Sequence, residues 1–530
     1  GQYHGLIYLT CTIEAKCYIM IFLIWTAVLI AVIWIYLHQK YSRFNKYGVK
    51  HFKVVPILGN MTGVIFQRKH LFDEMKRSYQ TFPRERFIGS YQFLEPTLII
   101  RDIELVKTIT VKEFENFHDH RVFIDEKIEP IAARNLFLLK GQEWKDMRST
   151  LSPAFTSSKI KAMVPFMEEV GEQMIKALNK KIEASQNGYM DVDCKDLTSR
   201  YGNDVIASCA FGLKVDSHED ENNEFLEMGK TATAFKLRQM LIFLILSACP
   251  SLGSKLKLTL FSKRLTNFFT ILYFNQIGKL ADDNEGRDEN VQDTGFATVE
   301  ESFIGRKSTN RVWADIDLVA QAVLFFMAGF ESVSTATSFA LHELAVNPDI
   351  QERLVREIKE ENLRNGGKLD FSSIQQMIYM DMVTSEVLRM WPPAMALDRV
   401  CENEYNLGKA NDQATKDYIV KKGEVVWIPV ACFHHDPKFF PDPQKFDPER
   451  FSETNKHDIN PVAYIPFGAG PRNCIGSRFA LCELKVLLYQ ILLHFEVSPS
   501  EKTQLPAKLS PVSLNPKLEG GHWLRFKKRN

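Results

Sequence analysis

The chain has 530 residues, 45% of them apolar, and its 66 Lys and Arg nearly balance 65 Asp and Glu. Near-neutral charge without a long basic tract or acidic tail excludes general nucleic-acid binding, and the basic end Lys527, Lys528 and Arg529 reads as a solvated tail. Nine scattered cysteines, none in a Cys-x-x-Cys pair, argue against a structural zinc site and against a disulfide framework, which suits a reducing compartment.

Residues 18–37 (YIMIFLIWTAVLIAVIWIYL) carry no charge. Twenty residues rise about 30 Å as a helix, the thickness of a bilayer's hydrocarbon core. Tyr18 and Tyr36 fall where an interfacial aromatic belt would lie. Lys40, Arg43, Lys46, Lys50 and Lys53 follow, so the positive-inside rule puts the bulk of the protein in the cytosol. A cleaved signal peptide would have a shorter apolar run and small residues at its cleavage site; none follow Leu37, so an uncleaved anchor is expected. Met20 opens the apolar run, and residues 1–17 are read as an extension upstream of the native start. Residues 38–60 are then a basic linker ending in the Pro/Gly hinge Val54–Asn60.

The length prior of about 150 residues per domain suggests three or four domains. Residues 61–530, however, contain no linker rich in Gly, Ser or Pro and no repeat, which favours one large, mainly helical domain with short strands. Trp144 and Arg148 stand at i and i+4, on one helix face. The run 241–246 (LIFLIL), with Phe235, is apolar beyond one face and reads either as a membrane-dipping segment or as a plain buried helix. The polar stretch 282–301 is expected to be a mobile surface loop. From Trp313 to Val346 no proline interrupts a helical pattern about 50 Å long, which Asn347-Pro348 stops. Glu386 and Arg389 lie one helical turn apart, before Trp391-Pro392-Pro393.

The strongest local signal is Phe467-Gly468-Ala469-Gly470-Pro471-Arg472-Asn473-Cys474-Ile475-Gly476, followed by a helical run from Ser477 to Phe495. Gly468, Gly470 and Gly476 allow close approach that a Cβ would block. A thiolate at neutral pH needs N–H donors and positive charge. A helix start supplies the donors and a favourable dipole, and Arg472 supplies a cation. Cys474 is therefore the candidate metal ligand.

These segments together resemble the cytochromes P-450, a family of haem-thiolate monooxygenases. The cysteine loop matches the family's Phe-x-x-Gly-x-Arg-x-Cys-x-Gly signature at every fixed position, and AGFES, SEVLRMWPPAMALDRVC and FHHDPKFFPDPQKFDPERF are similar to insect microsomal members of family nine, relatives of vertebrate subfamily 3A. The resemblance implies a mainly α fold with a small β region, haem b ligated by Cys474, and Phe467, Gly468 and Gly476 against the cofactor. Trp144, Arg148, Arg399 and Arg472, with His120 or Arg121 as a further candidate, are implied to meet its propionates. Glu386, Arg389 and Arg450 are implied to form a buried structural triad. Ala328, Gly329, Glu331 and Ser332 fall on the oxygen-activation motif, where Ser332 replaces the usual Thr and loses the methyl that stiffens χ1; there Gly329 leaves room for dioxygen, and the competing reading is close helix packing. The pocket candidates, placed by analogy, are Phe117, Val122, Phe123, Phe325, Phe326, Ala394, Met395 and Leu514.

The implied partners are NADPH–cytochrome P-450 reductase, cytochrome b5, membrane lipid, dioxygen and a lipophilic substrate, with Lys140, Lys145 and Lys438 as guesses for a basic docking face. The implied site of action is the endoplasmic reticulum membrane, and the implied role is oxidation of xenobiotics such as insecticides and plant toxins ahead of hormone metabolism. Two other classes remain on this scaffold: a peroxide-rearranging enzyme, which usually lacks the acid–alcohol pair present here as Glu331-Ser332, and a haem sensor or carrier.

Overall fold

The computed structural model describes residues 2–220, 222–233, 237–284, 311–513 and 515–529, with side chains omitted at 2–15, 17, 237 and 276–284. The polar stretch from 285 onward, Phe235 and the pocket candidate Leu514 lie outside the described residues.

The first helix, α1 (Gln2–Tyr41), carries an apolar span, Tyr18–Tyr41, with a mean hydropathy of 2.6 and no residue of its most apolar window buried. It overruns the expected 18–37 at both ends because no proline precedes Pro56. Within the expected linker, residues 38–60, the chain packs onto the body. Phe44 is fully buried, so close under Gly89 that a Cβ there would lie 2.5 Å from its ring. Arg43 reaches Glu424 at 2.6 Å and donates to the Tyr418 hydroxyl at 2.9 Å.

The elements that position the site follow in chain order: α2 (Leu71–Thr81), β1 (Phe87–Gln92), β2 (Glu95–Ile100), α3 (Gly141–Leu151), α4 (Ser157–Glu183), β3 (Tyr189–Asp193), α5 (Cys194–Phe211), α6 (Glu224–Thr233), α7 (Leu237–Ala248) and α8 (Lys263–Asn284). Then come α9 (Asp315–Val346), α10 (Pro348–Arg364), α11 (Ile378–Met390), β4 (Leu397–Val400), β5 (Val425–Ile428), α12 (Ser477–His494), β6 (Phe495–Pro499) and β7 (Trp523–Lys528). One sheet has the order β1-β2-β5-β4, with β2 and β5 parallel and the outer pairs antiparallel; a second, antiparallel sheet runs β3-β7-β6. The architecture is mainly α with small sheets, as expected.

Helix α9 crosses the middle of the body. It is apolar and long enough to span a membrane, but nearly half of that window is buried against protein, chiefly α5. It begins at Asp315, two residues later than expected. Trp313 is held outside it, its indole N–H donating to Thr150 Oγ1 at 3.3 Å, and Asp317 accepts the Ala314 N–H at 3.0 Å to close the first turn. Asn347 and Pro348 end it, as the pattern required. Glycine sets the spacing of α4 against α12: a Cβ on Gly171 would overlap the Gln490 amide.

Candidate active site

The cysteine loop closes on itself before α12 begins. The Cys474 N–H donates to Phe467 O at 2.8 Å and the Asn473 N–H to Gly470 O at 3.0 Å. Gly468 and Gly470 have φ of +79° and +71°, the left-handed region that penalises a side chain. A Cβ at Gly470 would also stand 1.8 Å from Thr110 O. Gly470→Ala is therefore expected to cost about 1–3 kcal/mol of backbone strain, plus displacement of the loop from Thr110, and to lower the thermal midpoint. An unchanged midpoint would show that the loop relaxes freely. Gly476 has an ordinary φ, and its space adjoins the Phe155 ring.

Cys474 is exposed, yet burial is the largest influence on its thiol, which is raised overall above its ordinary value. Burial pushes the thiol up, while the Gly476 N–H and the Arg148 charge pull it down. Arg148, on α3, forks onto Asn473, donating to its backbone O at 2.7 Å and its Oδ1 at 2.9 Å. Trp144, one turn earlier and buried, lies under the Arg472 guanidinium, 4.1 Å from Cζ to the ring centre.

The cations expected to converge on one dianion are brought near the loop but not into equal roles. Arg472 spends its donors inside the protein, on His118 O and Leu139 O at 2.7 Å, Leu136 O and Phe137 O at 3.3 Å, and Asp119 Oδ1 at 3.0 Å. It clasps the cysteine loop to the 118–139 segment. Arg399, on β4, is different: almost fully buried, it donates Nη1 to Asp398 O at 2.7 Å, and its Nε has no partner. Asp398 does not balance it directly, because its carboxylate is taken by His120 Nδ1 at 2.8 Å and the Arg121 N–H at 2.7 Å. His120 is buried, stacked on Phe137 at 4.2 Å; burial pushes its pKa down and Asp398 pulls it back up.

On α9, Ala328 is exposed and Ser332 half-buried. The Ser332 hydroxyl donates to Ala328 O at 2.6 Å. The space left by Gly329 is taken by Ile206 of α5, 2.5 Å from where a Cβ would sit, so this glycine's visible role is close helix packing. Glu331 is not bonded to Ser332. Its carboxylate lies 3.2 Å from Lys195 Nζ, on α5.

Glu386 and Arg389 form a fully buried fork at 2.6 and 2.8 Å, and Arg450 Nε approaches Glu386 at 3.4 Å. The pocket candidates divide. Phe326 is fully buried in an aromatic cluster with Phe225 and Phe269, each at 4.9 Å, and Phe117 is fully buried against Tyr405 at 5.4 Å. Both are core residues here, because analogy by segment does not say which face of an element points inward. Val122, Phe123, Phe325 and Met395 are half-buried and Ala394 is exposed; Phe123 meets Phe243 of α7 at 4.9 Å, and Phe325 meets Phe155 at 5.3 Å. Asp398, Asn473, Asp119 and Lys195 were not singled out in the sequence. Asp398 stands beside Arg399, but its partner His120 is 278 residues away, a pairing that no local pattern carries.

A helical body presenting one thiol from a glycine loop at the head of a buried helix, with buried arginines around it, is the architecture of a haem-thiolate oxygenase. The chain belongs to the cytochrome P450 family: the family model for cytochrome P450 matches residues 49–520. It is 42% identical to cytochrome P450 9e2 of Blattella germanica, over 92% of this chain and 94% of that one. It is 38% identical to probable cytochrome P450 9f2 of Drosophila melanogaster (92% and 95%) and 37% identical to probable cytochrome P450 6a13 of the same fly (90% and 93%). The chain is thus a monooxygenase of the class that incorporates molecular oxygen, with haem iron as its cofactor.

The residues present fit that cofactor. Among the described residues no three His, Cys, Asp or Glu gather into a metal cage. A lone thiol suits a metal whose remaining ligands arrive with it, as porphyrin nitrogens do. The unmet Arg399 Nε is a buried donor that a carboxylate would satisfy.

Proposed function

We propose that this chain is a membrane-anchored, NADPH-dependent monooxygenase that takes electrons through a reductase and oxidises lipophilic xenobiotics. Cys474 is the iron ligand and Arg399 a propionate partner, with Trp144 and Arg148 holding the loop that frames them. Haem, when bound, supplies the activation of dioxygen. The chain's own part is to offset part of the burial penalty on the Cys474 thiolate through Arg148 and the Gly476 N–H, to fix the loop through Arg472, and to bring protons through Glu331 and Ser332. The observation that carries the reading is Cys474: accessible, at the head of α12, and flanked by an N–H and a cation.

The exposed span Tyr18–Tyr41 supports a single anchor in the endoplasmic reticulum membrane, with the catalytic body in the cytosol and residues 1–17 ahead of the anchor. Val122, Phe123, Phe325, Ala394 and Met395 line the substrate side in this reading. Cytochrome b5 is a second electron donor, and Lys140, Lys145 and Lys438 belong to the docking face. Lys145 is already paired with Glu115 at 2.8 Å, so it contributes little free charge.

The test is the carbon monoxide difference spectrum of the dithionite-reduced protein, followed by NADPH oxidation with reductase and a lipophile. A thiolate-type Soret band and substrate-stimulated NADPH consumption uphold the proposal; an imidazole-type band in folded protein defeats it. Ser332→Ala is expected to release more hydrogen peroxide per NADPH, and unchanged coupling would remove Ser332 from the proton route.

A further inference from the structure

A cavity of about 190 Å³ lies between residues 52–62, α2 and one face of the β1-β2-β5 sheet, and shares no residue with the cysteine loop or the pocket candidates. Strand alternation sets its lining: Ser90 and Gln92 turn toward it, while Tyr91 between them is fully buried on the other face, 4.8 Å from the Phe44 ring. The same strand and its turn receive the end of α1. Tyr91 Oη donates to Lys40 O at 3.4 Å, and Tyr41 Oη donates to Phe93 O at 3.2 Å. The cavity therefore sits within a few residues of the point where the anchor meets the body. Val55 in its lining, and Ile57 and Phe66 close by in the chain, are exposed and form an apolar rim. The lining itself is rich in donors. Lys53 is exposed and pairs with no carboxylate among the described residues. Arg77, on α2, stacks over Phe52, 4.2 Å from Cζ to the ring centre. Trp427, on β5, keeps its indole N–H buried and without a hydrogen-bond partner among the described residues. Glu74 is the one carboxylate among the lining residues, and it is already held by Lys69 at 3.0 Å and Arg77 at 3.5 Å. Surplus positive charge thus surrounds a buried donor that lacks an acceptor.

We propose that this cavity binds the phosphate-bearing headgroup of an anionic phospholipid from the leaflet that holds the anchor, an inference that rests on the anchoring reading above. The Trp427 N–H donates to a phosphate oxygen, and Lys53 and Arg77 balance the charge. The acyl chains stay outside, along Val55, Ile57 and Phe66. The size agrees: sites that enclose a whole drug-sized ligand measure about 300–1,000 Å³, and 190 Å³ takes a headgroup alone. The depth agrees as well, because the chain meets the headgroup layer as soon as the hydrophobic span of α1 ends. A zwitterionic headgroup brings no net charge to offset the two cations, whereas an anionic one does. A free phosphate ion meets the same donors but gains nothing from the apolar rim. One bound lipid fastens α2, β5 and the linker to the leaflet at a second point besides α1.

The test reconstitutes the full-length holoprotein into phosphatidylcholine vesicles that contain a minority of phosphatidylserine. The protein is then extracted into mild detergent, and native mass spectrometry reads the ratio of lipid-bound to lipid-free chain. One phosphatidylserine per chain, enriched over its share of the vesicle, is the expected result. Trp427→Phe keeps a ring and removes the N–H, and is expected to lower the ratio about ten-fold, the weight of one hydrogen bond to a charged group. Lys53→Gln and Arg77→Gln each lower it about five-fold, as the loss of one cation at a lipid surface does. Lys50→Gln, an equal loss of charge outside the lining, leaves it at the parental value. No enrichment of phosphatidylserine, or a parental ratio in Trp427→Phe, overturns the proposal. A loss in Lys50→Gln equal to that in Lys53→Gln also overturns it, by showing charge attraction without a site. Delipidated holoprotein that takes up inorganic phosphate as tightly as soluble short-chain phosphatidylserine assigns the site to the free ion and ends the lipid reading. If Trp427→Phe does not fold, Lys53→Gln and Arg77→Gln decide against the same Lys50→Gln control. Holoprotein that alkaline carbonate strips from the vesicles refutes the anchoring reading instead, and short-chain phosphatidylserine in solution still tests the cavity.

Discussion

Cys474→Ala is expected to fold and to lose turnover by three orders of magnitude or more, a barrier rise of about 4 kcal/mol at 1.36 kcal/mol per tenfold. Cys474 is exposed and belongs to none of the hydrophobic core clusters, so its removal should change unfolding free energy by about 0.5 kcal/mol or less. The two readouts then separate: denaturation stays near the parent while the reduced carbon monoxide band leaves the thiolate position. No other described cysteine is placed to substitute. Cys194, Cys209, Cys401, Cys432 and Cys482 are buried, and burial pushes the last three thiols up to about 12. Cys249 is exposed but has no N–H and cation arrayed around it among the described contacts. A thiolate-type band surviving in Cys474→Ala would hand the ligand role to another residue and overturn the site.

Arg389→Ala should be the most destabilising single change. Glu386 is fully buried and accepts two charge-assisted bonds from the Arg389 fork, so deleting the arginine strands a carboxylate in the interior. The expected cost is about 3–5 kcal/mol, against a total stability of about 5–15 kcal/mol. Arg450, 3.4 Å away and with its Nε short of a good hydrogen bond, cannot carry that charge alone. Arg389 also ties α11 to His434 O at 2.8 Å and to Lys445 O at 3.3 Å, so its loss frees the segment that leads toward the cysteine loop. Replacing both partners, Glu386→Leu with Arg389→Met, removes the stranded charge and should recover much of the loss. Chemical denaturation checks both; an Arg389→Ala variant within about 1 kcal/mol of the parent would mean that the pair is solvated in the native state.

What was legible in the sequence was what local chain chemistry carries. The glycine spacing around Cys474, the i, i+3 fork of Glu386 and Arg389, the proline that ends α9 and the charge-free run of α1 are all short-range facts. What was not legible depends on which face of an element turns inward. Phe326 and Phe117 read as pocket residues and are core. Gly329 read either as room for dioxygen or as close helix packing, and only the fold shows Ile206 against it. Arg472 read as a propionate donor and clasps four carbonyls and Asp119. Lys195 could not be found at all, because its meeting with Glu331 spans 136 residues and needs the α5–α9 crossing to exist first.

The burial of Phe44 and the pairing of Arg43 with Glu424 also bear on how the molecule searches for its redox partner. Only two residues, Ser42 and Arg43, separate the end of α1 from a side chain locked beneath the sheet, which leaves almost no swivel between anchor and body. In a bilayer such a joint transmits torque, so the body keeps one attitude to the lipid surface rather than tumbling on a tether. Under the anchoring proposed above, encounter with a membrane-held reductase would become a two-dimensional search in which the same face is presented. The orientational factor that slows docking in free solution would already have been met by three residues just beyond the membrane.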